Sequence, residues 1–147
     1  MCHRIWLAGY RIVYAYKSVI YHKMGATSSG MNNAFIQYHS FKNRIRAYIK
    51  NFGTIWFWTI LPFHIALCQL YALLSFTRGN WQLASAIERA FWWNIQHFPE
   101  TMVMRTYIRQ NIRTVLDSIF EKSVLVRPKI GYYKSMISGN LVSYKDA

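Results

Sequence analysis

Between Lys50 and Arg78 the chain carries no charged residue, and the run from Gly53 to Phe76 is Trp, Ile, Leu, Phe and Ala with scattered Thr, His, Gln and Ser. About 20 apolar residues suffice to cross the hydrocarbon core of a bilayer. This stretch therefore decides which solvent the fold must suit before any other feature does. Pro62, His64 and Gln69 make it a poor spanning helix. The sequence leans instead to a broken pair of helices lying in the head-group region, the second restarting at Pro62. Trp56 and Trp58 suit that depth, and Lys50 and Arg78 close the two ends.

The charge balance points the same way. There are 18 Lys and Arg against 5 Asp and Glu, within a composition that is 53% hydrophobic and 18% aromatic. A nucleic-acid binder spreads such charge over a polar face. Basic residues mixed with Trp and Tyr fit anionic lipid head groups better, so an anionic membrane surface is the expected partner and nucleic acid is not. Reading from Met1, the first carboxylate is Glu88, followed by Glu100, Asp117, Glu121 and Asp146. Chemistry that needs a carboxylate base or a carboxylate-held cation thus cannot be assembled from the first half of the chain. Cys2 and Cys68 lie far apart, without a CxxC pair or a His at metal-ligand spacing, so neither a zinc site nor a disulfide framework is indicated. The setting expected is the cytoplasmic face of a membrane, and no secretory signal opens the chain.

Residues 1–8 read as a short helix stopped by Gly9. Arg11 to Tyr16 and Ser18 to Tyr21 are rich in β-branched and aromatic residues and read as two short extended segments. Residues 23–33 have loop composition, and a basic amphipathic helix follows over 34–51. Asn80 caps a further helix over 81–98, and Pro99 opens the next. In that last helix Arg105, Arg109 and Arg113 recur every four residues beside Met104, Ile108 and Ile112. Such a stripe is commonly a solvated helix edge; phospholipid contact competes with it here. His39, His64 and His97 show no partner in the sequence.

The run Cys2-His3-Arg4, then Leu7-Ala8-Gly9-Tyr10-Arg11-Ile12-Val13-Tyr14, then Val19-Ile20-Tyr21-His22, Gly25 and Ser28 resembles the end of the catalytic domain of family-2 glycosyltransferases. There an acidic motif is followed by an Arg-bearing helix, Gly-Tyr, a strand, and a His before a Gly-x-Ser loop. Lys42-Asn43-Arg44, Leu61-Pro62, Trp92-Trp93-Asn94 and Pro99-Glu100 look similar to the helical tail of bacterial members that attach rhamnose or related sugars. The resemblance runs to about Pro128 and is most specific in the first fifty residues.

What it implies is the C-terminal part of an α/β GT-A glycosyltransferase, mainly α with a short N-terminal β element, followed by a helical membrane-associated tail. Residues 1–50 would end the catalytic domain, 51–128 form the tail, and 129–147 a loosely ordered end. The parent would move a sugar from a nucleotide-sugar to a glycan or lipid-linked acceptor, using Mg or Mn. Its Asp-x-Asp motif and catalytic base would precede Met1, so the chain alone is expected to be inactive and without a cofactor. His22 would be a metal ligand beside the parent's carboxylates. Lys23, Ser28 and Ser29 would face the diphosphate, and Lys42, Asn43 and Arg44 the acceptor. Trp56, Trp58, Arg105, Arg109 and Arg113 would meet the membrane. The competing expectation is a small non-enzymatic, basic, membrane-associated protein.

Overall fold

The computed structural model describes residues 2–19, 21 and 31–119. They form five α-helices: α1 (Cys2–Leu7), α2 (Asn33–Asn51), α3 (Thr54–Thr77), α4 (Trp81–Gln96) and α5 (Phe98–Tyr107), which runs on into a π turn over Ile108–Ile112.

Each helix begins and ends on local chemistry. The side chain of Asn32 accepts a hydrogen bond from the Ala34 amide at 2.8 Å and caps α2. Only Phe52 and Gly53 separate α2 from α3. At the far end of α3, Gly79 adopts φ +77°, and the Gly79 and Asn80 amides donate back to Phe76 and Ser75 carbonyls at 2.9 Å. Asn80 then accepts from the Leu83 amide and starts α4. Gly9, at φ +81°, ends α1 in the same left-handed way.

Packing is set by the apolar faces of α2 and α4. Phe41 of α2 meets Cys68 and Ala72 of α3 together with Leu83, Ile87 and Ala90 of α4. Further along, Ile45 and Ile49 meet Phe57 and Leu61. The order of these pairs makes α2 and α3 antiparallel along most of their length. Ala84, Ala86 and Ala90 are all buried on α4, and such small side chains let the neighbouring helices approach closely. A third cluster, Leu7, Phe52 and Ile108, ties α1 to the α2–α3 junction and the π turn. The chain returns there as the Thr114 amide donates to the Leu7 carbonyl at 2.9 Å. The packing thus runs straight across residue 50.

Two expectations are corrected. The first is the α/β reading with its N-terminal β element: among the described residues there is no strand, and the architecture is all-helical. Residues 10–15 and 18–19 are irregular and exposed, Tyr14 to 86%. β-branched and aromatic residues favour a strand only where a second strand supplies the ladder, and none of the described residues does. The second is the break at Pro62, because α3 continues through it. The proline removes one backbone donor, that for the Trp58 carbonyl, but its ring lies on the exposed side of the helix, clear of the packed stripe.

The two left-handed glycines separate conformational from steric cost. A Cβ at Gly9 would meet Thr114 Oγ1 at 3.0 Å, whereas one at Gly79 meets nothing within 4 Å. Gly79→Ala is expected to cost about 1 kcal/mol and Gly9→Ala about 2 kcal/mol in denaturant unfolding. Equal costs would mean that the return of Thr114 onto α1 contributes nothing.

Candidate functional site

The arginines of α5 and its π turn converge on the α2–α3 junction. Arg105 is 6% exposed; its Nη1 donates to the Ile49 carbonyl and, at 2.7 Å, to the Phe52 carbonyl, while the guanidinium lies 4.9 Å from the Phe57 ring. Arg109 donates to Thr54 Oγ1 at 3.1 Å, and Arg113 to the Asn51 carbonyl at 3.2 Å and to Asp117. In a pure α-helix, residues four apart drift steadily round the axis; the wider π turn reverses that drift and keeps all three on the junction. Helix α2 leaves its last carbonyls without intrahelical donors, and Arg105 and Arg113 supply them. Burial first, then Arg109 and Arg113, pulls the Arg105 guanidinium below its ordinary pKa. Arg105 is therefore a buried helix cap and does not face the outside; Arg109 is the exposed member of the stripe.

A second set of cations lines α2. Lys42 Nζ sits 4.7 Å from the Trp93 ring centre and 5.2 Å from that of Tyr38. Arg46 lies 5.1 Å from the same Trp93 and pairs with Glu100 at 2.6 Å. Arg89 of α4 lies 5.4 Å from Tyr38. His97 stacks on Trp93 at 4.0 Å. Trp93 and Tyr38 thus carry a band of cations across α2 and α4. Lys50, at the C-terminal end of α2, is held below its usual pKa by burial and by Arg4 and Arg46, with Glu100 opposing. Cations here are close enough to repel one another, and an external anion would relieve them.

The third feature is α3 itself. Its buried stripe is Phe57, Leu61, Cys68, Ala72 and Ser75. Its other side exposes Ile55, Trp58, Phe63, Leu70, Leu73 and Phe76, with Trp58 at 69%. Among the described residues α3 is the one helix long and apolar enough to cross a membrane, and only 22% of its most apolar stretch is buried. The hydroxyls of Thr59, Ser75 and Thr77 donate to carbonyls of their own helix, which suits an apolar surrounding.

The residues singled out from sequence fall in different places. His22, Lys23, Ser28 and Ser29 lie outside the described residues. Lys42, Asn43 and Arg44 do not form one site: Lys42 faces Trp93, Asn43 is exposed, and Arg44 lies near Phe41 and donates to Ser40 Oγ at 3.4 Å. Trp56 is half-buried against the Leu7 and Phe52 cluster, whereas Trp58 points outward. The sequence alone assigns no role to Arg46, Arg89 or Trp93, although the four-residue spacings Lys42/Arg46 and Trp93/His97 are a usable signal. His64 lies 5.1 Å from the Tyr48 ring and 3.5 Å from Cys68 Sγ; burial, then Arg44, lowers its pKa to about 4, so it is neutral at pH 7.

Among the described residues no three His, Cys, Asp or Glu side chains converge in a way that could hold a metal ion; His22, the ligand that the resemblance implies beside the parent's carboxylates, lies outside them. No family model, curated protein or solved structure matches the chain.

The arginine junction gives a direct test. Arg105→Met leaves two buried carbonyls without their donor and is expected to cost about 3 kcal/mol in denaturant unfolding, while Arg109→Ala costs less than about 1 kcal/mol. Arg105→Lys, lacking the fork, recovers only part of the loss. Near-neutral behaviour of Arg105→Met would show that the junction does not need its cap.

Proposed function

We propose that this chain is the membrane-docking helical portion of a glycosyltransferase that transfers a sugar from a nucleotide-sugar to a glycan or lipid-linked acceptor at the cytoplasmic face. Alone it is inactive, because the residues that hold the donor and its metal lie elsewhere in the enzyme. Support for the transferase assignment is the order of Cys2-His3-Arg4, Gly9-Tyr10, His22, Gly25 and Ser28.

The observation that carries the docking is the pairing of an uncovered apolar helix with a basic one. At about 1.5 Å per residue α3 is about 36 Å long, enough to cross the core. Yet α2 lies beside it, and Lys42, Arg44 and Arg46 run along the middle of that length. A spanning α3 would drag those three cations into hydrocarbon at about 2.5–3.5 kcal/mol each. Lying in the membrane plane avoids this. The outer stripe of α3 then sinks into the acyl boundary, and the cations of α2, with Arg109 of the π turn, meet lipid phosphates. A lipid-linked acceptor has its head group at that same depth.

Sedimentation with vesicles of phosphatidylcholine and phosphatidylglycerol tests the docking. Binding is expected to need phosphatidylglycerol, to fall as salt rises, and to weaken about tenfold in Trp58→Ala, equivalent to about 1.4 kcal/mol. Translation of the DNA upstream of the Met1 codon tests the enzyme assignment. An in-frame Asp-x-Asp stretch, whose joined product transfers sugar while this chain alone does not, is the expected result. Vesicle binding without any such stretch would leave a non-enzymatic membrane protein.

A further inference from the structure

Between α3 and α4 lies a groove of about 540 Å³, lined by Leu70, Leu73 and Phe76 from α3 and by Ala84 of α4, with Gln69 and Glu88 as its polar members. The volume falls within the roughly 300–1,000 Å³ of small-molecule pockets. Leu70, Leu73 and Phe76 also belong to the outer stripe of α3, so the groove opens on the side assigned above to the acyl boundary. Glu88, half-buried, is one of only 5 Asp and Glu residues in the chain.

The geometry points to a lipid-binding site: the groove takes the hydrocarbon chain of one membrane lipid whose head carries a hydroxyl and no charge. The apolar walls select the chain. Glu88 offers an acceptor, and a hydroxyl answers it by donating to the carboxylate. A phosphate at that position would face the Glu88 carboxylate without a cation among the lining residues, so anionic lipids belong to the basic band and neutral ones to the groove. This assignment rests on the membrane-docking reading and adds to it a specific lipid within the surface that α3 enters.

The test uses the full chain on vesicles of phosphatidylcholine and phosphatidylglycerol doped with a diacylglycerol that carries a photoreactive diazirine in one acyl chain. Cross-links are expected at Leu70, Leu73, Phe76 and Ala84, to be depleted by unlabelled diacylglycerol and to persist with added phosphatidylglycerol. Leu73→Trp, which fills the mouth from an exposed position and keeps the stripe apolar, is expected to abolish them while sedimentation with vesicles is retained. Glu88→Leu, which removes the carboxylate, is expected to abolish the preference for diacylglycerol over phosphatidylglycerol. Cross-links spread evenly over Ile55, Trp58 and Phe63, or competed equally by phosphatidylglycerol, would overturn the groove assignment while leaving docking intact. Failure to sediment with vesicles at all would overturn the docking itself.

Discussion

The guanidinium of Arg105, set between the carbonyls of Ile49 and Phe52, is the contact on which the arrangement of the helices depends. Two residues separate α2 from α3, so the chain must reverse within a turn while the last carbonyls of α2 lose their intrahelical donors. An apolar side chain there would leave those carbonyls buried and unpaired. A cation near the C-terminal end of a helix also suits its dipole. The desolvation cost of Arg105 is offset by two charge-assisted hydrogen bonds and by the face of Phe57. Arg109 and Arg113 extend the same junction to Thr54 and Asn51.

Once the junction is closed, the uncharged α3 is laid along the basic α2. The character of α3 is then set by its neighbours. Its own sequence is apolar on all sides, and packing against α2 and α4 satisfies only the stripe from Phe57 to Ser75. The remaining side needs an apolar medium, while the helix behind it needs water or anions. An interface between lipid and water supplies both, and neither bulk water nor the bilayer centre does. The docking proposal is thus a consequence of how the helices are tied together, more than of the hydropathy of residues 54–77.

Much of the helical framework was legible because its signals are local. Asn80 and Pro99 act within a few residues of where they stand, and Gly9 ends α1 as its sequence position implies. The β reading of residues 11–21 failed because strand propensity is conditional on a pairing partner that sequence pattern cannot supply. The arginine spacing was visible, but its partners lie more than fifty residues earlier, so a capping role and a lipid-facing role look alike until the fold is known. The same limit hid Trp93, whose importance comes from Lys42 and Arg46 arriving from another helix.

In-plane docking fixes the orientation of α3 at the bilayer, which spin labels can read. Nitroxide labels placed singly at Ile55, Phe63, Leu70 and Phe76, with Cys2 and Cys68 replaced, report depth through collision with oxygen and with a water-soluble relaxer. All four are expected at one shallow depth of about 5–10 Å below the head groups. Phe63 and Leu70 near the bilayer centre, with Ile55 and Phe76 at opposite surfaces, would contradict in-plane docking and require α3 to part from α2.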